Sequence, residues 1–428
     1  MEPAIHRCGV IGYGGRGHSH AHTLHRYFRE RVEIVAVADP VFAVAAPEDL
    51  PEGRWFVDYH DLLDLPDVEA VIVATHEVAH VEIALAALAA GKAVLLEKAA
   101  APTWPEAVRL YRHVRAGATP FMLALNLRHF PAATVLRGLL AEGAIGRPVA
   151  VTCHVNAGSH WGASCFRRFY HDRTRCGDLV LSKLTHDTDL MQHLLGVRAA
   201  RVTGYVAKTT FIPKPGAGPD CDHCAITAAC TEYLPLVEPR LQARSAALLA
   251  RGEPPLNVCP FTRPSTSHDT AVFSGLLDGG AAYSIIFTTA GPVYARRYQI
   301  NGTEGQVSCV LHGPNGPSVV VQRTNGVAIR QEIPDATGGH AGADPRLMTS
   351  FLDYLDERPA APREPEAILT SVMVPLGGLE SSETGREVDL SEWYRAAISG
   401  TDGRASRSPA QRGAEHGAAA GTQERDKN

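Results

Sequence analysis

Ten residues near the start of the chain, Cys8-Gly9-Val10-Ile11-Gly12-Tyr13-Gly14-Gly15-Arg16-Gly17, run from an apolar strand into a G-x-G-x-x-G turn and then a helix-like segment. Gly12 permits a tight turn, Gly14 lets backbone approach a pyrophosphate, and Gly17 lets the following helix pack on the strand. Helix N–H groups then point at the phosphates. A second apolar run, Glu33-Ile34-Val35-Ala36-Val37-Ala38, ends in Asp39, about twenty residues past the glycines, where a carboxylate accepts the hydroxyls of an adenosine ribose. That carboxylate would repel a 2′-phosphate, and Pro40-Val41-Phe42 supplies no cation, so the pattern favours NAD; Arg16 keeps NADP open.

Two further patterns suggest metal chemistry. His76-Glu77-Val78-Ala79-His80 spells H-E-x-x-H, in which two histidines on one helix face hold zinc and the glutamate acts on bound water. Here it begins at a strand end and straddles a helix start, so protease chemistry is not expected. His18 and His22 have i, i+4 spacing, but with His20 and His25 they read as one face of a helix near the cofactor. Cys221-x-x-Cys224, Cys230 and Cys259 lie in a segment poor in apolar residues and are candidates for one structural zinc, with His223 able to replace a ligand. Unligated thiols are the alternative. Cys8, Cys153, Cys165, Cys176 and Cys309 read as small core residues.

The elements that must position these groups alternate from Ile5 to about Ala124: strands at Val68 to Thr75, Ala93 to Glu97 and Pro120 to Leu125, helices at Ala79 to Ala90 and Trp104 to Ala116. That alternation marks a parallel sheet of βαβ units. Beyond Arg128 a helix (131 to 142), a strand from Pro148 and a helix from about Leu184 to Leu195 precede mainly strands. Asp278-Gly279-Gly280 forms a hairpin turn between Val272 to Leu277 and Ala281 to Thr288. The expected organisation is α/β over 1–126 and an α+β domain with an open, largely antiparallel sheet over 127–398. A Pro- and Cys-rich insertion at 208–266 carries a helix near Glu238 to Arg251, and a disordered tail fills 399–428.

The 428 residues carry a net charge of −5, which offers no basic field for nucleic acid or anionic lipid. No apolar run reaches the length of a membrane span, and the first strand leaves no room for a signal peptide, so a cytoplasmic location is expected.

The glycine turn with Asp39, then Thr75 and His80, Ala90-Gly91-Lys92, and Leu96-Glu97-Lys98 resembles the Gfo/Idh/MocA oxidoreductases. The likeness continues through Leu127-Arg128 with Pro131, Gly143-x-Ile145-Gly146-x-Pro148, His186-x-x-Asp189-Leu190, Gly302-Thr303-Glu304-Gly305, and a last helix with Ser382 and Gly385. It covers about residues 4 to 395. The resemblance implies an N-terminal Rossmann domain holding NAD(H) or NADP(H) through Gly12, Tyr13, Gly14, Gly15, Arg16, Gly17, Asp39, Thr75, His80, Glu97 and Lys98. It also implies a C-terminal domain whose open sheet supports a homodimer or homotetramer, and a sugar, sugar derivative or cyclitol bound between the two.

Alcohol oxidation needs a base for the hydroxyl proton and a cation for the developing alkoxide. Lys98 ends a strand and matches the lysine of the family's Glu-Lys-Pro motif, although Ala99 replaces the proline. His186 matches the family's helix-starting histidine and is the acid/base candidate, with Asp189 on the same face as an orienting group. Many relatives carry an aspartate where this chain has Ser182, and Lys183 stands beside it in a Lys-x-x-His variant. His160-Trp161 with Phe166-Arg167-Arg168 resembles a segment that accompanies this variant and lines the pocket. Two other activities fit the same resemblance: NAD-dependent glycoside cleavage by transient oxidation and elimination, and a non-catalytic NAD-binding sensor.

Overall fold

The computed structural model describes residues 5–40, 54–250, 252–356 and 364–400; the expected disordered tail lies almost wholly outside them. Six short apolar strands, β1 (His6–Ile11), β2 (Val32–Ala38), β3 (Arg54–Phe56), β4 (Ala70–Val73), β5 (Ala93–Leu96) and β6 (Phe121–Leu123), form a fully parallel sheet. Its order is β3-β2-β1-β4-β5-β6. Strand order reverses at β1, so a crevice opens at the carboxyl ends of β1 and β4, where ligands bind in such sheets. Helices α1 (Gly15–Tyr27), α2 (Tyr59–Leu63), α3 (Glu77–Ala89) and α4 (Trp104–Ala116) make the crossovers. Strand β3 lacks a sequence signal because it is three residues long.

After α5 (Pro131–Ala141) come β7 (Pro148–Asn156), α6 (Ser159–Arg167), α7 (Arg173–Cys176), α8 (Leu179–Leu195) and β8 (Ala199–Ala207). Between β8 and β9 (Thr270–Leu277) the insertion is mostly irregular, with one helix, α9 (Pro239–Ala250). The Asp269 carboxylate holds its entry by accepting the backbone N–H groups of Thr209, Thr210 and Phe211 at 2.8 to 2.9 Å. Strands β10 (Ala282–Thr288), β11 (Ala295–Gly302), β12 (Gly305–His312), β13 (Ser318–Arg323) and β14 (Ala328–Gln331) complete most of a second sheet. Its nine strands run β14-β13-β12-β11-β7-β10-β9-β8-β15, with β15 at Val388–Asp389. Every pair is antiparallel except β7 with β10.

Three helices follow the strands or flank β15: α10 (Ala343–Leu355), α11 (Ala367–Thr384) and α12 (Leu390–Ser399). Although α10 lies in the second half of the sequence, its Leu347, Met348, Phe351 and Leu352 pack with Val10, Ile34 and Ile72 of the first sheet. Helix α11 lies against β8, where Ser381 and Ser382 Oγ accept the N–H groups of Gly204 and Val206 at 3.0 and 3.1 Å. None of the described helices is long and apolar enough to cross a membrane.

One sequence expectation changes the site. Helix α8 starts at Leu179, capped by the Asp178 carboxylate on the Val180 N–H at 2.9 Å, rather than near Leu184. His186 is therefore inside the helix instead of at its start. The apolar run Leu179-Val180-Leu181 hid the true beginning because this helix is buried around most of its circumference, which erases the amphipathic period.

Candidate active site

The glycine turn joins β1 to α1. A Cβ on Gly17 would stand 1.9 Å from the Gly12 carbonyl oxygen, whereas one on Gly14 or Gly15 would meet no protein atom within 4 Å. Gly17 therefore serves packing, and the other two border open space. Helix α1 has Gly14 at its N-cap and hence no side-chain cap, leaving its first N–H groups for an anion. Asp39, buried at the end of β2, accepts the Tyr13 N–H at 2.7 Å, which draws its carboxylate against the same turn. An uncapped helix start, an open glycine surface and a carboxylate beyond the second strand fit a dinucleotide's pyrophosphate and ribose.

Lys98 leaves the end of β5 and its Nζ donates to the Ser182 carbonyl of α8 at 3.0 Å. The Lys98–Ala99 peptide is cis. His80, fully buried on α3, braces this turn: Nδ1–H donates to the Ala99 carbonyl at 2.7 Å, and burial lowers the ring's pKa and keeps it neutral. One turn along α8 from Ser182, part of the His186 ring remains exposed while its Nδ1 is buried with no protein partner. Burial, then the charges of Lys98 and Arg296, push the imidazole well below its ordinary value. A neutral imidazole beside an ammonium group is a proton acceptor beside an oxyanion stabiliser.

Residues 6–124 match the model of an oxidoreductase family with an NAD-binding Rossmann fold, and residues 137–390 match that family's C-terminal alpha/beta domain. The chain belongs to the Gfo/Idh/MocA oxidoreductases. It is 26% identical over 358 residues to a Bacillus subtilis protein provisionally named the oxidoreductase YteT, spanning 76% of this chain and 83% of that one. It is 30% identical over 210 residues to inositol 2-dehydrogenase 2 of Saccharopolyspora erythraea, spanning 48% of this chain but only 59% of that enzyme. A levoglucosan dehydrogenase solved with NADH and L-sorbose shares the fold at a TM-score of 0.68 and 19% identity, covering 90% of this chain and 98% of its own.

Within this Gfo/Idh/MocA site Arg16 is drawn away from any phosphate. Its Nε donates to Glu97 at 2.8 Å and its terminal nitrogens reach Asp344 of α10 at 3.2 and 3.3 Å. His20 Nε2 adds a second bond to the same Glu97 oxygen at 2.7 Å. Burial pushes the Glu97 carboxyl up, but Arg16 and His20 hold it well below the ordinary range. Arg16 is thus engaged by two carboxylates rather than presented to a 2′-phosphate. The Thr75 hydroxyl makes only a local contact, 3.4 Å from the His76 carbonyl.

Lys183 donates to the Tyr294 hydroxyl at 3.0 Å and lies 4.0 Å from the Trp161 ring centroid. Burial and then Arg296 push its ammonium well below the usual lysine value, while the two aromatic faces favour the cation. His160 and Arg167 face the insertion instead: His160 Nδ1 meets Glu232 at 2.8 Å, and Arg167 meets the Glu232 and Val258 carbonyls. Phe166 is core, and Arg168 Nε donates to the Ser164 carbonyl at 3.0 Å.

Asp189 does not orient His186. Its carboxylate takes a two-pronged bond from Arg128 at 2.6 and 2.7 Å, because the side chain leaves α8 toward the residues following β6. The pair ties α8 to the turn that follows β6. Asp187, equally buried, accepts from Arg296 Nε at 3.0 Å and the Tyr298 hydroxyl at 2.8 Å. Both it and Thr185 are fully buried inside α8.

The two metal patterns resolve differently. His76 precedes α3 and packs tilted against Phe169, ring centroids 3.9 Å apart, while His80 faces Ala99, so the histidines of H-E-x-x-H do not converge. Cys221, Cys224, Cys230 and Cys259 do line one small pocket with Asp220 and Glu232. Yet among the described residues no group of three or more His, Cys, Asp or Glu stands close enough to hold a metal. This corrects the zinc expectation: His223 and His160 occupy the two carboxylates, and Cys221 Sγ accepts the Leu234 N–H at 3.4 Å.

Sequence reasoning missed Tyr294, Arg296 and Asp344, which arrive from distant strands and a returning helix without a local motif. It also set aside Glu77, which was visible inside H-E-x-x-H.

Proposed function

We propose that this chain is an NAD-dependent oxidoreductase that moves hydride between nicotinamide and a secondary alcohol of a sugar, sugar derivative or cyclitol. The convergence of Lys98 and His186 across the interdomain cleft carries the reading. NAD supplies the hydride acceptor; Gly14, Gly15, Tyr13 and Asp39 are the residues to hold it, and the carboxylate at Asp39 with Arg16 tied back favours NAD over NADP. The Lys98 ammonium stabilises the alkoxide as it forms. His186, only partly buried, is the group available to take the hydroxyl proton, while its Nδ1 faces inward. Trp161 and Tyr294 give Lys183 a polar tip on an aromatic wall, suited to a polyol ring.

Self-association fits the second sheet's outer face. Tyr205, Val272 and Ile286 lie side by side across three strands and are 70%, 36% and 43% exposed. A homodimer or homotetramer would cover them.

The test is a panel of sugars, cyclitols and glycosides with NAD or NADP, following NADH absorbance and product identity together. Net NADH from one alcohol class is expected. Cleaved glycoside without net NADH would assign the redox-elimination chemistry instead, and NAD binding with no reaction of any class would support a sensor.

A further inference from the structure

One buried carboxylate in the reaction centre has no part in the scheme above. Glu77 opens α3 directly beyond the end of β4 and is 2% exposed, yet neither carboxylate oxygen has a hydrogen-bond partner. Burying an unpaired carboxylate is costly, so its surroundings must use it or complete it. Ser182 Oγ, beside it, is also buried and unpartnered, and His186 Nδ1 is a third such atom. Ser182 and His186 are four residues apart on α8 and therefore share a face.

His186 itself shows why an acceptor is needed. Burial, then Lys98 and Arg296 and last Lys183, disfavour a positive ring there against the opposing pull of Glu97, so an imidazolium formed by taking the substrate proton is driven to pass a proton on. Every other carboxylate in the cluster is already paired: Glu97 by Arg16 and His20, Asp187 by Arg296 and Tyr298, Asp189 by Arg128. Glu77 remains.

Resting on the dehydrogenase reading, we infer that Glu77 is the proton acceptor behind His186, reached through the Ser182 hydroxyl. The substrate O–H bond breaks as the proton joins His186, and the electron pair of the C–H bond leaves as hydride for nicotinamide, making the carbonyl. The imidazolium proton then passes to Ser182 Oγ as the Ser182 hydroxyl proton passes to Glu77. The net change is alcohol, NAD+ and a Glu77 carboxylate converted to ketone, NADH and a protonated Glu77; ketone reduction runs the same steps backward. The three atoms make no hydrogen bonds to one another without substrate, and such contacts commonly tighten only in the loaded site.

The groups facing Glu77 agree with this role. Burial pushes its carboxyl up to about 7, Lys98 and the neighbouring Ser182 hydroxyl pull down, and Glu97 adds to the rise. Tyr170 and Cys176, the other titratable neighbours, are driven far up by burial and exchange no proton near neutrality. Glu77 acts through Ser182 and not on substrate, since both its oxygens are shielded.

The experiment measures NAD-dependent alcohol oxidation over about pH 5.5 to 9 for wild type, Glu77→Gln, Glu77→Asp and Ser182→Ala, with NAD affinity from tryptophan fluorescence and carboxyl titration by infrared difference. Glu77→Gln should lower kcat about a hundredfold while KM and NAD affinity change less than about twofold. It should also remove both the acidic limb near neutral pH and an infrared carboxyl band titrating there; Glu77→Asp should restore part of kcat, and Ser182→Ala should lower kcat but keep that band. Unchanged kcat and pH profile in Glu77→Gln with an active wild type overturns the relay alone. A wild type that oxidises no alcohol overturns the dehydrogenase reading, and the relay with it.

Discussion

The Lys98 ammonium donates to the Ser182 carbonyl at 3.0 Å, joining the end of a parallel strand in one domain to a buried helix in the other. The lysine is thereby aimed across the cleft before any substrate arrives, which is the preorganisation an oxyanion stabiliser requires. Replacing Lys98 by Ala should lower kcat by about a hundredfold or more with NAD affinity within about twofold. Steady-state rates and fluorescence titration check both halves, and near-normal turnover would remove Lys98 from the reaction.

The glycines divide into two classes that substitution can separate. Gly17→Ala would force a methyl to 1.9 Å from the Gly12 oxygen, so the turn must rearrange and the melting temperature should fall. Gly15→Ala meets no protein atom within 4 Å; it should leave the melting temperature nearly unchanged while weakening NAD, whose phosphates need that surface. Equal effects on both properties in both variants would contradict this division.

Arg16 balances two carboxylates, Glu97 and Asp344, whose side chains are 6% and 1% exposed. Arg16→Ala removes the one guanidinium shared by both buried carboxylates and leaves His20 on Glu97 and His340 on Asp344, with an expected loss of about 3 kcal/mol in urea unfolding. Because Asp344 sits on α10, the same change should increase proteolysis of that helix.

His186 sets a sign for acid stability. Its folded pKa lies well below the ordinary value, so the unfolded chain gains a proton first as pH falls below about 6.5 and stability declines from there downward. His76, His129 and His193, each pushed down to about 4, act in the same direction. Urea midpoints should fall between neutral pH and about pH 4, less steeply in His186→Gln.

Glu77 has the opposite sign. A folded value of about 7 lies above the ordinary 4.5, so the native state holds a proton that the unfolded chain releases, and stability falls as pH rises through that window. Glu77→Gln should therefore raise the melting temperature above neutral pH and change it little near pH 4.5. A variant less stable at both pH values would show that the carboxylate holds the fold together.

Much of this protein was legible in its sequence because local rules govern it. The glycine turn, Asp39 and the βαβ alternation follow from backbone sterics and apolar period, and α4 occupies the Trp104 to Ala116 span expected from that alternation. Lys98 was legible as the residue ending a strand at the ligand-binding edge. Tertiary structure alone decided the rest. Helix α8 is buried on nearly every side, so no period announced its start or the inward position of His186. Asp189 shares its spacing with an orienting carboxylate but points to Arg128, and Arg16, which looked free for a phosphate, is taken by a helix folding back from residue 344. Glu77 looked like part of a zinc motif until burial and the lack of any partner set it beside Ser182 and Lys98. Charge pairing and desolvation depend on which distant groups fill the space around a side chain, and spacing along the chain does not encode that.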